Sequence, residues 1–131
     1  MFRLFILAAS FAIVRPVAAV SSGRELYQQH CATCHGTDSR GDGPAARFLY
    51  PKPRDFTRGM FKVRSTADGE LPTDADLLAT LTRGMPGSPM PSFAYLSLAE
   101  REALVAHLKT WLPAREPAAP IPVGDEPPQT P

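Results

Sequence analysis

Apolar residues recur at helical spacing near the end of the chain. The series begins at Leu98, continues to Leu112 and stops at Pro113. Ser97 and Glu100 stand just before it in the S-x-x-E relation of a capping box, in which each side chain binds the other residue's backbone N–H. The pattern predicts a helix that packs one apolar stripe against a core.

Two further helices are predicted upstream. Ser22 begins a second S-x-x-E pattern, and Leu26 and Tyr27 face the core before the chain reaches Cys31. The other helix covers residues 73–83, because aspartates occupy its first turn, leucines follow, and a glycine comes just after its end. Together with the last helix, these make three main helices.

Residues 36–72 are rich in glycine and proline and predict an ordered loop, with a short helix near residues 44–50. A loop of this length in a compact domain tends to be functional. Three helices and long loops form a thin shell, so a bound group at the centre would stabilise the domain.

The two ends of the chain differ from the middle. Residues 1–19 contain a basic residue, an apolar run and then Val17-Ala18-Ala19, which predicts a secretory signal peptide and an extracytoplasmic, for example periplasmic, location. An uncleaved anchor or a buried helix is the alternative. Residues 114–131 are proline-rich and nearly free of large apolar side chains, which predicts a disordered tail. Residues 20–113 remain as the folded domain.

Charge does not favour nucleic-acid binding. The whole chain of 131 residues carries a formal charge of +1. Removal of residues 1–19, which contain Arg3 and Arg15, leaves twelve basic against thirteen acidic residues. A nearly neutral domain lacks the basic excess that phosphate backbones attract.

The strongest chemical signal is the run Cys31-Ala32-Thr33-Cys34-His35. C-x-x-C-H is the attachment pattern of c-type haem. On a helical turn, positions i, i+3 and i+4 share a face, so both thiols and the imidazole can reach one macrocycle. The cysteines would form thioethers with the haem, and His35 would bind the iron.

Other interpretations of the cysteine pair explain less. A thioredoxin-like pair would come with a βαβ pattern, which this chain lacks. A structural zinc site would need four ligands, and besides Cys31, Cys34 and His35 the only other histidines are His30 and His107. A disulfide suits a secreted chain but leaves His35 without a role.

Two methionines lie in the proline-rich run "GMPGSPMPSF", residues 84–93. Met85 and Met90 each precede a proline, which holds them near extended geometry. Methionine is usually a flexible gap-filler, so a rigid pair of thioethers suggests that the loop binds a metal, a cofactor or a partner. The alternative is a loop whose methionines only cover the core.

These segments together resemble the class I (monohaem) c-type cytochromes. "CATCHG", "GDGPAA", "MPSF" and "LSLAEREALVAHLKTWL" occur in that family's order. The resemblance implies a small all-α fold around one covalently attached haem c. Its first and last helices would cross near right angles. The function implied is electron transfer between extracytoplasmic redox partners, without catalysis.

The resemblance also implies individual roles. Cys31 and Cys34 would be the thioether positions, and His35 the proximal iron ligand. The carbonyl of Pro44 would accept a hydrogen bond from the other imidazole nitrogen. Met90 would be the distal ligand, with Met85 as the alternative.

Two further expectations concern partners and packing. His107 stands where the family usually has an aromatic residue, so Tyr27 and Trp111 should supply aromatic bulk nearby. Basic residues of the middle loop, residues 36–72, would bind the haem propionates or steer an acidic redox partner, or else form an ordinary solvated surface. They are Arg40, Arg47, Lys52, Arg54, Arg58, Lys62 and Arg64.

The electron donor and acceptor are not specified by the sequence, and a membrane-associated oxidoreductase complex is one candidate partner. The alternative function is a haem enzyme or a gas or redox sensor in which the distal methionine dissociates.

Overall fold

The structure is a computed structural model that describes residues 21–115 and 118–122. The predicted signal peptide therefore lies outside the described residues, as do residues 116–117 and 123–131 of the predicted tail. In the described part, no helix combines the length and apolar character needed to cross a membrane.

The predicted all-α fold is confirmed, and the described residues contain no strand. Two short 3₁₀ turns in the middle loop accompany four helices. The helices are α1 (Gly23–His30), α2 (Ala32–His35), α3 (Asp74–Arg83) and α4 (Leu98–Lys109), and the 3₁₀ turns are Ala46–Phe48 and Phe56–Arg58.

All three long helices begin with a capping box. The predicted boxes at Ser22 and Ser97 are present, and Thr73 forms a third with Asp76 at the start of α3. The Asp76 carboxylate also accepts hydrogen bonds from the backbone N–H and the hydroxyl of Ser65, both at 3.0 Å. One carboxylate therefore caps α3 and attaches the middle loop to it.

The core lies where α4 packs against α1 and α3. The aromatic cluster expected around His107 is present, because its ring lies 5.7 Å from that of Tyr27 and 4.4 Å from that of Trp111, centroid to centroid. The buried core residues are Leu26, Tyr27, Cys31, Ala32, Leu77, Leu81, Phe93, Leu96, Leu104, Val105 and Leu108.

Gly23 is the point of closest approach between α1 and α4. A Cβ atom at this position would lie 2.0 Å from the carbonyl oxygen of Ala103 and 2.9 Å from the Cβ of His107. Glycine is used here because a side chain would separate the two helices.

The first part of the C-terminal tail lies against the middle loop. Arg115 donates a hydrogen bond to the carbonyl of Gly69, and the Ile121 N–H donates to the Ser65 carbonyl at 2.8 Å. These contacts involve Arg115 and Ile121, and the disorder of residues 114–131 stays a prediction.

Replacing Gly23 by alanine is expected to destabilise the protein by about 1–3 kcal/mol, as overpacking of a tight interface does. The free energy of unfolding can be measured by denaturant titration followed by far-ultraviolet circular dichroism. Gln28→Ala, at an exposed position of the same helix, is the control and should change stability by less than about 0.5 kcal/mol. Equal losses in both variants would contradict the close-approach interpretation.

Asp76→Asn is expected to lower stability at neutral pH by about 1 kcal/mol, the usual scale of a lost helix cap. Burial raises the pKa of Asp76, but its hydrogen bonds to Ser65 and Thr73 outweigh burial and leave the pKa lowered. The carboxylate therefore stabilises the fold above the ordinary Asp pKa of about 4, and this contribution is lost as the pH falls through the lowered folded value.

The difference in stability between wild type and Asp76→Asn should accordingly shrink as unfolding is measured from pH 7 down to below about pH 4. Asp74→Asn is the matched control, because Asp74 lies in the same helical turn but makes only a surface ion pair with Lys109 at 2.6 Å. A difference for Asp76→Asn that stays constant with pH would show that its charge is not responsible.

Candidate functional site

Cys31, Cys34 and His35 lie together on the wall of a cavity of about 250 Å³. A backbone hydrogen bond of 2.9 Å from the His35 N–H to the Cys31 carbonyl closes the helical turn that brings them to one side. The two cysteines are not bonded to each other. Burial, and to a smaller extent the neighbouring Cys34, raises the pKa of Cys31 to about 12, so a thiol at this position is protonated at neutral pH.

The rest of the cavity wall is mostly apolar and comes from distant parts of the chain. Helices α3 and α4 contribute leucines, the end of the proline-rich run of residues 84–93 contributes Phe93, and the middle loop closes one side. These residues include Leu77, Leu81, Phe93, Leu108, Leu49, Pro51, Phe56, Phe61 and Val63. Such a lining suits a large apolar cofactor with a few polar attachment points.

The imidazole of His35 is held in one tautomer. Its Nδ1 lies 3.0 Å from the carbonyl oxygen of Arg54. A carbonyl can only accept, so Nδ1 carries the hydrogen and the lone pair of the neutral ring is on Nε2. Burial lowers the pKa of His35, which the hydrogen bond to Arg54 opposes only in part. The ring is therefore a neutral nitrogen donor, the form in which histidine binds metals.

In the structure this hydrogen bond goes to the carbonyl of Arg54 and not to that of Pro44, whose role as the acceptor stays a prediction. Backbone hydrogen bonds from the N–H groups of Gly43 and Ala45 to carbonyls of residues 34 and 33 hold the Pro44 segment against the motif, and Pro44 itself is exposed. The sequence contains no local sign of the Arg54 contact, since a carbonyl acceptor can come from any residue type.

A second contact to His35 also comes from the middle loop and was not predicted. The ring of Phe56 stacks on the imidazole with a centroid distance of 4.6 Å and an angle of 18° between the planes. Phe61 stacks in turn on Phe56 at 5.9 Å and 7°. Both phenylalanines line the cavity.

The loop after the C-x-x-C-H motif is anchored by a buried tyrosine. The Tyr27 hydroxyl donates to the Gly36 carbonyl at 2.8 Å and accepts from the Ser39 hydroxyl at 2.7 Å. Tyr27 and Ser39 are completely buried. Burial raises the pKa of Tyr27 to about 12, so its hydroxyl stays protonated and keeps this donor role at neutral pH.

Both candidate methionines line the cavity. Their loop is closed by the Met85 N–H, which donates to the Met90 carbonyl at 3.2 Å. The hydroxyl of Ser88 bridges the same two residues, donating to the Met85 carbonyl at 2.8 Å and accepting from the Met90 N–H at 3.3 Å. The loop is therefore held by hydrogen bonds as well as by its prolines.

Of the seven basic residues of the middle loop, three line the cavity: Lys52, Arg54 and Lys62. Two of the other four basic residues contact side chains outside the cavity lining. Arg64 pairs with Asp68, and the guanidinium carbon of Arg47 lies 4.5 Å from the centroid of the Phe48 ring. The cations at the cavity are the ones that could contact carboxylates of a bound group.

Comparison with known proteins identifies the family. The family model described as Cytochrome c matches residues 20–111. No match was found among curated proteins. A solved structure titled Kuenenia stuttgartiensis reducing HAO-like protein complex Kustc0457/Kustc0458 contains a chain that is 38% identical, with a TM-score of 0.76, over 85% of this chain. This chain covers 52% of that one, so it spans about half its length.

A further solved structure, the KustC0563 c-type cytochrome, is 28% identical over 71% of this chain and 100% of that chain, with a TM-score of 0.45. The family match alone covers most of the described residues. The chain belongs to the cytochrome c family, whose members bind haem c covalently and take part in electron transfer.

Proposed function

We propose that this chain transfers single electrons as a monohaem c-type cytochrome with histidine and methionine as axial ligands. Cys31 and Cys34 hold the haem through thioethers, His35 is the proximal ligand and Met90 the distal one. The observation that carries the proposal is that two thiols, a neutral imidazole and two thioethers line one apolar cavity. This donor set fits haem c.

When bound, haem c supplies an iron that accepts and releases one electron. The protein residues keep that iron in one environment. Arg54 fixes the tautomer and position of His35, the buried Tyr27 hydroxyl anchors the loop that follows the motif, and the apolar walls exclude water. A fixed ligand set and a dry cavity reduce the rearrangement that accompanies each electron transfer.

Met90 is the proposed distal ligand because it follows the family pattern and because it packs against the buried core. Ser88 and the hydrogen bond to Met85 limit the movement of its backbone. With both axial positions filled, no site remains for a substrate, so the chain acts as a carrier rather than as an enzyme. The alternative is a haem enzyme or sensor, in which the methionine would leave the iron.

The partners are proposed to be redox proteins outside the cytoplasm. The location rests on the predicted signal peptide, residues 1–19, and the partner class on the likeness to a chain from a structure titled as a reducing HAO-like protein complex. A function within a larger redox complex is therefore part of the proposal. The cations Lys52 and Lys62 at the cavity would attract an acidic partner.

Visible and near-infrared spectra of the purified holoprotein test the function. We expect low-spin spectra in both oxidation states, a sulfur-to-iron band in the ferric near-infrared spectrum, and reversible uptake of one electron per chain. A high-spin ferric form without the sulfur band, which binds peroxide or nitric oxide, would favour the enzyme or sensor instead.

The same spectra assign the distal ligand when the two methionines are replaced separately. Met90→Ala should abolish the sulfur-to-iron band, whereas Met85→Ala, the matched control in the same loop, should retain it. Loss of the band in the Met85 variant alone would reverse the assignment.

Lys62→Gln is expected to slow oxidation of the reduced holoprotein by ferricyanide roughly twofold at about 0.1 M salt. The reason is that the variant loses one positive charge of the cavity lining, which attracts the ferricyanide anion. Stopped-flow absorbance gives the rate. The difference should disappear near 1 M salt, where the Debye length is about 3 Å.

Lys109→Gln is the control for that measurement, since Lys109 is an exposed lysine of α4 that does not line the cavity. Equal slowing in the two variants would show that the total charge of the protein, rather than the charge at the cavity, governs the rate.

A further inference from the structure

A buried imidazole needs more than one contact to have a defined plane. The torsion that rotates a histidine ring about its Cβ–Cγ bond is broad and has no sharp minima. The hydrogen bond from Nδ1 to Arg54 fixes one atom of the ring, but a ring held at one point can still tilt about that point. The plane of His35 therefore depends on what touches its faces.

Phe56 supplies such a contact. Its ring lies nearly parallel to the imidazole, 18° from coplanar, at a centroid distance of 4.6 Å that is typical of offset stacking. Tilting of the imidazole out of its plane would drive ring atoms of His35 into Phe56. The hydrogen bond and the stacked face together restrict the orientation of the ring.

Phe56 is itself held in place from three sides. Its N–H donates to the Ser39 carbonyl at 2.8 Å, and its carbonyl accepts from the Gly59 N–H at 3.0 Å. On the side chain, Phe61 stacks at 7° from parallel. Because Ser39 is fully buried and hydrogen-bonded to Tyr27, the stack is anchored to α1.

We infer that Phe56 is a positioning residue that sets the plane of the His35 imidazole, and that Phe61 supports it from behind. The inference rests on the proposed function, in which His35 is the proximal iron ligand. The plane of an axial imidazole determines how its electrons overlap with the iron orbitals, so a residue that fixes this plane tunes the metal without touching it.

Electron paramagnetic resonance of the frozen ferric holoprotein provides the test, because the low-spin g values respond to the orientation of the axial ligand. Phe56→Leu keeps an apolar side chain but removes the stacked face. We expect its low-spin signal to shift and broaden, as the imidazole takes up a range of orientations. Phe56→Tyr retains the ring and should restore the wild-type signal.

Phe48→Leu is the matched control. Phe48 is another phenylalanine of the middle loop, but it is 75% exposed, does not line the cavity, and its ring contacts the Arg47 guanidinium rather than His35. A signal for Phe56→Leu that superimposes on wild type, or an equal change in Phe48→Leu, would overturn the inference by showing that the contact between Phe56 and His35 does not set the signal.

Should Phe56→Leu fail to fold, Phe61→Leu carries the test, since it leaves the stacked ring but removes its support. A smaller shift in the same direction is expected, and an unchanged signal would overturn the inference. A wild-type protein without a low-spin ferric signal would contradict the ligand assignment itself, and would overturn both the proposed function and the role of Phe56.

Discussion

The hydrogen bond between Nδ1 of His35 and the carbonyl of Arg54 joins two segments that are 19 residues apart in the chain. It decides which nitrogen of the ring faces the cavity as an electron-pair donor. It also satisfies the N–H of a partly buried ring, which costs free energy when it is left without a partner. The C-x-x-C-H motif alone therefore does not fix the tautomer of the imidazole, because the acceptor comes from a loop that follows later in the chain.

The middle loop meets this requirement because its backbone is attached to the helices at several points. Ser39 connects it to Tyr27 of α1, and the carboxylate of Asp76 connects it to the start of α3. Glycine and proline suit such a segment, since its hydrogen bonds go to particular partners rather than along a regular helix. Helices α1 and α4 give the rigid base, and the loop gives the contacts that surround the candidate ligand.

The parts of the structure that follow from local chemistry could be predicted from the sequence. The capping boxes at Ser22 and Ser97 mark helices because each pairs residues three apart, and the cysteine pair has a helical spacing. Contacts between distant residues could not be predicted in this way. Nothing in the sequence around Arg54 or Phe56 distinguishes a carbonyl or a ring that contacts His35 from one that does not.

The position of the two cysteines on the cavity wall has a consequence for folding. A ligand that dissociates stabilises a protein by an amount that depends on its concentration in solution. A group joined covalently to the chain stays with it when the chain unfolds, so its local concentration is set by the length of the tether. For a member of a family that binds haem c covalently, dilution then has no effect on how well the cavity is filled, and a small core keeps the group at its centre at any protein concentration.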